Sequence, residues 1–273
     1  MQKVRVIPTI LYKNGQIVQS RNFKRHQIVG SPQIIINRLS SWNADEVIYL
    51  DISREKNYSV RTDTKFTKPM SFVDIIKEIS KYTFMPLTVG GGIRSMKDVE
   101  QYLKNGADKI SINHLAINQT KIISSIAKLF GSQFCVVSVD AKLIDKEYFV
   151  FENYGKINTK IKVKDHITNI CNMGAGEIII NSIDNDGKGT GYDIDLINLV
   201  CETSAVPVIA LGGVGKWGDF EECLNKTKVN AVSASNIFQH TENSYYKSVE
   251  YLYKKNINVR KPKISNLKFD KNI

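Results

Sequence analysis

PLTVGGGIRSMKDVEQYL (residues 86–103) and PVIALGGVGKWGDFEECL (residues 207–224) are two copies of one pattern. Each runs from a proline through a short apolar strand into a glycine cluster, and from there into an amphipathic helix. The flanks repeat as well. KISIN (109–113) and AVSAS (231–235) follow the two copies after a slip of one residue. VVSVDAK (136–142) matches IPTILYK (7–13), and GEIIIN (176–181) matches DEVIYL (45–50). Two unrelated strands could mimic one such match. Four in the same order point to an internal duplication, two fused halves of four strand–helix units each.

The rest of the chain keeps the same rhythm. Strand-length apolar runs occur at 4–11, 46–51, 85–89, 109–112, 134–140, 177–181, 206–211 and 231–234. Helical patterns lie between them, as at 71–82, 95–106, 120–131 and 192–203. Near-continuous apolar strands alternating with amphipathic helices predict a parallel sheet covered by helices. Eight such units in 273 residues fit an α/β protein of the (β/α)8 TIM barrel class. The barrel is expected to be a single domain over 1–260, with half-barrels of about 1–131 and 132–260 and a basic, disordered tail at 261–273. EYFVFENYGKINTKI (147–161) breaks the rhythm, and its alternation around Asn-Tyr-Gly predicts a β-hairpin inserted after strand five.

Composition narrows the class. Apolar residues are 42% and charged residues 24%, ordinary for a soluble globular protein. No apolar run is long enough for a membrane span, and the N-terminus lacks a signal-peptide pattern, so the expectation is a cytoplasmic protein. Cys135, Cys171, Cys201 and Cys223 are scattered without CxxC spacing, which argues against zinc and for reduced thiols. The net charge of +11 could favour nucleic acid, but no basic stripe interleaved with aromatics accompanies it. A Lys-, Asn- and Ile-rich bias explains the charge as well, and neither nucleic acid nor membrane is expected as a partner. His26, His166 and His240 show no role and are expected at the surface.

The glycine clusters carry the first chemical hint. GGG (90–92) and GG (212–213) each follow a strand and precede a helix, where backbone N–H groups can approach an anion. DNDGKGTG (184–191) and SAS (233–235) are further turns of this kind. Alone, each cluster could equally be a tight turn. Repeated, they place one phosphate cradle in each half and suggest a ligand with a phosphate at both ends.

LTVGGGIRS (87–95), GADKISIN (106–113), FGSQFCVVSVDAK (130–142), GAGEIIINSIDNDGKGTGYD (174–193) and PVIALGG (207–213) together resemble the cyclase subunit of imidazole glycerol phosphate synthase. The resemblance runs from about Lys3 to Arg260. It implies a barrel that receives ammonia from a glutaminase partner on its N-terminal face. The ammonia passes through the barrel to a bisphosphate ribulosyl substrate at the C-terminal face, where two aspartates act as general acid and base. No cofactor and no metal are implied. Carried over by position, the phosphate sites are Gly91, Gly92 and Asn113 on one side, and Asp186, Gly187, Gly212, Gly213, Ala234 and Ser235 on the other.

One catalytic aspartate falls on Asp140, and the other falls on Leu11. Strand one therefore has the family's frame without its acid. A family lysine falls on Gln19, a phosphate-side serine on Leu211, and His114 stands where a small hydroxyl residue is usual. General acid–base catalysis contributes roughly 10²–10⁴-fold, and leucine transfers no proton. Tyr12, by the alternation of a strand, faces away from Leu11. Cyclisation is expected to be weak or lost.

The ammonia entrance reads differently. The family's ring of four charged residues falls on Arg5, Glu46, Lys109 and Glu177, with every charge kept. The alternative is an ordinary ion-pair cluster closing the barrel floor. Asp108 and Gln133 match positions at the glutaminase interface. IPTILYKNG (7–15) and NSID (181–184) are most similar to a paralogous, glycosyl-amidation-associated branch found in surface-saccharide loci. That similarity implies ammonia supply to a sugar amidotransferase at the C-terminal face. The alternative is an authentic cyclase of histidine biosynthesis. Residues 52–70 exceed the usual ~2–6-residue connection and are expected either to dock the acceptor protein or to be a loose insertion.

Overall fold

Strand β1 (Arg5–Lys13) is dry on both faces: Val6, Ile10 and Tyr12 are buried on one side, Ile7 and Thr9 on the other. Such a strand belongs inside a sheet covered by helices. The computed structural model, which describes residues 3–21, 23–54 and 71–263, shows that arrangement. After β1 come β2 (Gln16–Arg21), β3 (Arg25–Gly30), α1 (Pro32–Ser41), β4 (Val47–Asp51), α2 (Phe72–Ser80), β5 (Leu87–Gly90), α3 (Met96–Lys104) and β6 (Lys109–Ile112). Then follow α4 (His114–Asn118), α5 (Lys121–Phe130), β7 (Cys135–Ile144), β8 (Glu147–Glu152), β9 (Ile157–Lys162) and α6 (Val163–Asn172). The chain closes with β10 (Glu177–Ser182), α7 (Ile194–Thr203), β11 (Val208–Leu211), α8 (Trp217–Lys226), β12 (Ala231–Ala234) and α9 (Ser244–Lys254).

Eight strands, β1, β4, β5, β6, β7, β10, β11 and β12, pair in parallel, and β12 pairs back to β1. This is a closed (β/α)8 barrel. Two apolar layers hold it. Outside the strands, Tyr12 and Tyr49 pack against Phe72 of α2 with ring centroids 5.3 and 6.2 Å apart. Inside, Ile7, Ile48, Val136, Ile179, Ile209 and Ala231 form one cluster on the barrel axis. Helix starts follow local rules. Ser71 and Asp74 make a reciprocal capping box at α2, and Asp193 accepts from Leu196 N–H at α7.

The insertion at 147–161 is the expected hairpin, and it pairs with an extended β7 to make a three-stranded ribbon. A second ribbon was not anticipated: β1 continues through Asn14-Gly15, both at positive φ, into β2 and β3. Asn-Gly is the strongest short hairpin signal. His166, expected at the surface, is buried on α6 beside Val163, Ile167 and Ile170, and burial pushes its pKa down to about 4. Helical periodicity, which placed no element at α6, would have put it on the inner face. Most of loop 52–70 and residues 264–273 of the tail lie outside the described residues.

Close backbone approach explains two of the glycines. A Cβ on Gly91 (φ +95°) would stand 2.0 Å from Asp51 O, and one on Gly213 (φ +102°) 2.1 Å from Gly191 O. Gly91→Ala should therefore destabilise the barrel by at least about 1–3 kcal/mol, from overpacking and a left-handed backbone together. Urea unfolding would show this as a lower midpoint with an unchanged slope.

Candidate functional site

Alternation and register decide which side chains enter the barrel. Arg5, Ile7, Thr9 and Leu11 share one face of β1, and the pairings Leu11↔Leu50, Leu50↔Gly90, Gly90↔Ser111 and Asp140↔Asn181 carry that face around. The interior is thus layered, with charges at the N-terminal floor, aliphatic side chains above it, hydroxyls next and the C-terminal mouth on top.

The floor is a closed ring of ion pairs. Arg5 Nη1 donates to Glu46 Oε2 at 2.6 Å, and Arg5 Nη2 donates to Glu177 Oε1. Lys109 Nζ donates to Glu46 Oε1 at 3.0 Å and to Glu177 Oε2 at 3.2 Å. Each cation bridges both anions, so the four side chains are neutral as a set. The carboxylates are almost inaccessible, 3% and 7%, while the cations keep 26% and 23% exposure. Thr88 Oγ1 gives Glu46 Oε1 a further hydrogen bond at 2.9 Å. Burial alone disfavours the Arg5 cation, but the hydrogen bond and charge of Glu177, joined by Glu46, outweigh it and hold its pKa above the ordinary value. Asp108 and Gln133 are exposed at the same end. Asp108 Oδ2 also accepts from Leu87 N–H at 2.8 Å, so it braces the start of β5.

At the mouth, Asp140 is held from both sides. Asn113 Nδ2 donates to its Oδ2 at 2.9 Å and Asn181 Nδ2 to its Oδ1 at 3.1 Å. Burial pushes its pKa up to about 6. The Asn181 bond opposes that, Asp186 adds to it, and the Asn113 bond opposes it again. Strand one stands across the barrel from strand five, and Leu11 occupies its inward position there. Leu50 and Leu211 line the same level. Tyr12 lies wholly in the outer cluster, as alternation requires. Among the described inward positions of this level, Asp140 is the one carboxylate. Two polar acceptors nearby, Ser111 Oγ and Asn181 Oδ1, are buried without a protein partner.

The glycine turns surround this mouth. Gly91, Gly92, Gly212 and Gly213 all have positive φ. Asn113, expected at a phosphate, spends its amide on Asp140. Ala234 is buried and Ser235 half-buried at the end of β12. The β2–β3 hairpin folds over the opposite cradle. Ser20 Oγ and Phe23 N–H both donate to Asp186 Oδ2, at 3.1 and 3.3 Å, and a Cβ on Gly187 would stand 2.3 Å from Ser20 O. His114 Nδ1 lies 2.9 Å from Glu152 Oε2 at the end of β8, in the β7–β9 ribbon. Arg21, Lys188 and His240 border a cleft at the rim that sequence reasoning missed. Lys188 lies in the glycine turn 184–191, whereas Arg21 ends β2, whose sequence signal is Asn14-Gly15.

A family model described as "Histidine biosynthesis protein" matches residues 5–243. The chain is 36% identical over 256 residues to the imidazole glycerol phosphate synthase subunit HisF of Natranaerobius thermophilus, across 94% of this chain and 98% of that one. It is 37% identical over 260 residues to a putative imidazole glycerol phosphate synthase subunit hisF2 of Vibrio vulnificus, across 95% and 92%. It is 37% identical over 258 residues to a HisF subunit of Clostridium botulinum, across 94% and 98%. No helix among the described residues is long and apolar enough to cross a membrane.

The raised pKa of Asp140 has a measurable consequence. A carboxyl that titrates near 6 in the fold, against about 4 unfolded, favours the folded state fully below pH 4 and loses that contribution as pH rises through 6. Comparing wild type with Asp140→Asn by chemical denaturation should show the stability difference shifting in the variant's favour by roughly 2–3 kcal/mol between pH 4 and pH 8. A flat difference would mean that Asp140 ionises as an ordinary carboxylate.

Proposed function

This chain belongs to the histidine biosynthesis protein family, and from that premise we propose that it is a HisF-type barrel subunit of a glutamine-dependent amidotransferase that delivers ammonia and has little cyclase chemistry of its own. A glutaminase subunit docks on the N-terminal face beside Asp108 and Gln133. Ammonia enters through the ring of Arg5, Glu46, Lys109 and Glu177 and leaves at the mouth. There an amidotransferase acting on an N-acetyl sugar of surface-saccharide biosynthesis takes it up.

One observation carries this reading: the closed charge ring at the floor stands beneath a mouth in which Leu11 faces Asp140 across the barrel. Ring closure on a bisphosphate substrate needs one group to take a proton and another to give one. Asp140, with its pKa near 6, can do either alone. Leu11 can do neither. The unpartnered acceptors Ser111 Oγ and Asn181 Oδ1 favour the passage of a small molecule rich in N–H donors.

A second reading, an authentic cyclase of histidine biosynthesis, is favoured by the identity to HisF subunits over nearly the whole chain. On this reading Gly91, Gly92 and Asn113 cradle one phosphate of the substrate, and Asp186, Gly187, Gly212, Gly213, Ala234 and Ser235 the other. Complementation of a histidine auxotroph lacking its cyclase subunit separates the two: growth supports the cyclase, and no growth supports delivery.

The delivery reading makes a quantitative prediction. Paired with its glutaminase and given glutamine and the bisphosphate ribulosyl substrate, the wild-type chain should form little imidazole product. Leu11→Asp should raise turnover by roughly 10²–10⁴-fold, the usual contribution of a positioned acid or base. Robust turnover in the wild type, unimproved by the substitution, would refute the delivery reading.

A further inference from the structure

The β8–β9 hairpin leaves the barrel beside Asp140, which pairs with Phe151. Its tip, Asn153-Tyr154-Gly155, touches two opposite walls of the mouth. Tyr154 Oη donates to Ser53 O at 3.1 Å, just past β4, the second barrel strand. A Cβ on Gly155 would stand 3.2 Å from Ile183 Cδ1, just past β10, the sixth. In a closed ring of eight, the second and sixth strands face each other, so the tip lies over the barrel axis.

The contact is fixed at both ends. Ser53 Oγ accepts from Asn14 N–H at 2.8 Å, and Ser53 N–H donates to Asp51 Oδ1 at 2.8 Å. The Arg54 guanidinium stands 5.6 Å from the centroid of the Tyr154 ring, a cation–π contact. On the hairpin's own arm, Glu152 Oε2 accepts from Asn118 Nδ2 at 2.9 Å and lies equally close to His114 Nδ1. Asn153, Tyr154 and Gly155 have φ of +50°, +60° and +69°. Tyrosine is disfavoured in this left-handed region and glycine is not, so the turn alone does not account for Tyr154. Its side chain does.

The glycine turns of the third and seventh strands, Gly91-Gly92 and Gly212-Gly213, face each other across the same axis. They also share a level with the anchors of the tip. A Cβ on Gly91 would meet Asp51 O at 2.0 Å, and one on Gly212 would meet Ser182 O at 3.2 Å. A ligand reaching from one turn to the other therefore crosses the axis where the tip sits. A molecule the size of ammonia needs no such crossing. We propose that Tyr154 is a specificity-determining bar across the mouth, which keeps out ligands long enough to engage both glycine turns. Glu152 adds to the discrimination: it sets a carboxylate beside His114, next to Asn113, where an anion would be repelled. The inference deepens the ammonia-delivery reading and rests on it for what leaves the mouth. The part played by the hairpin is read from binding alone, without turnover.

The test is calorimetric titration of the full-length chain with the bisphosphate ribulosyl substrate. Tyr154→Gly removes the bar and relieves the turn. It should bind at least about tenfold more tightly than the wild type, because apparent affinity rises with the fraction of mouths that are open. Tyr154→Phe keeps the ring beside Arg54 and loses the hydrogen bond to Ser53, so its affinity should fall between the two. Tyr253→Ala, at an exposed position on α9, should stay within about twofold of the wild type. Circular dichroism melting shows that the variants fold. The proposal is overturned if the wild type and Tyr154→Gly bind equally, whether tightly or not at all, or if Tyr253→Ala tightens binding as much. Tight binding by the wild type without imidazole formation overturns the bar and leaves ammonia delivery standing. Robust wild-type turnover, with affinity still gained in Tyr154→Gly, overturns delivery and leaves the bar standing.

Discussion

Four charges in the floor of a barrel must neutralise one another, and the inward phase of the strands above follows from how they do so. Glu46 and Glu177 are nearly sealed from water, and a buried carboxylate left alone costs several kcal/mol. Arg5 and Lys109 each bridge both, so the ring has no weak end. Removing any one member would strand a partner. The ring also fixes the phase of the strands. With Arg5 inward at the base of β1, two-residue alternation brings Ile7, Thr9 and Leu11 inward above it. The position that governs the mouth is set by the same geometry that closes the floor.

That coupling gives the mouth its asymmetry. Asp140 on strand five is positioned by two amides and kept near neutrality in its titration by burial, properties suited to handling protons. Opposite it, the inward place on strand one carries a hydrocarbon, with Leu50 and Leu211 at the same level. That side of the mouth is apolar at this level. The β2–β3 hairpin adds a further change by spending the Asp186 carboxylate on Ser20 and Phe23.

The barrel was legible because its strands are short, apolar and bounded by glycines, and because the repeated segments at 86–103 and 207–224 reinforced each other. That Tyr12 faces away from Leu11 followed from alternation, and the inward direction of Leu11 from the aspartate position the resemblance places there. Asn14-Gly15 announces the hairpin after β1, but the resemblance marks in that stretch only a family lysine falling on Gln19. Arg21 was missed with it. Likewise His166 was assigned to the surface because its helix had not been placed. Partner choice was also beyond sequence: the amide of Asn113 serves Asp140, and only coordinates could show that it is engaged.

Replacing glutamine and the glutaminase by ammonium salt tests the central claim most directly, since it bypasses partner and ring and asks only what the mouth can do. With saturating ammonium and the bisphosphate ribulosyl substrate, the wild-type chain should form imidazole product at least about 10²-fold more slowly than the HisF subunit of Natranaerobius thermophilus under the same conditions. Equal rates would contradict the account, for they would require a second proton-handling group in a mouth where strand one supplies leucine.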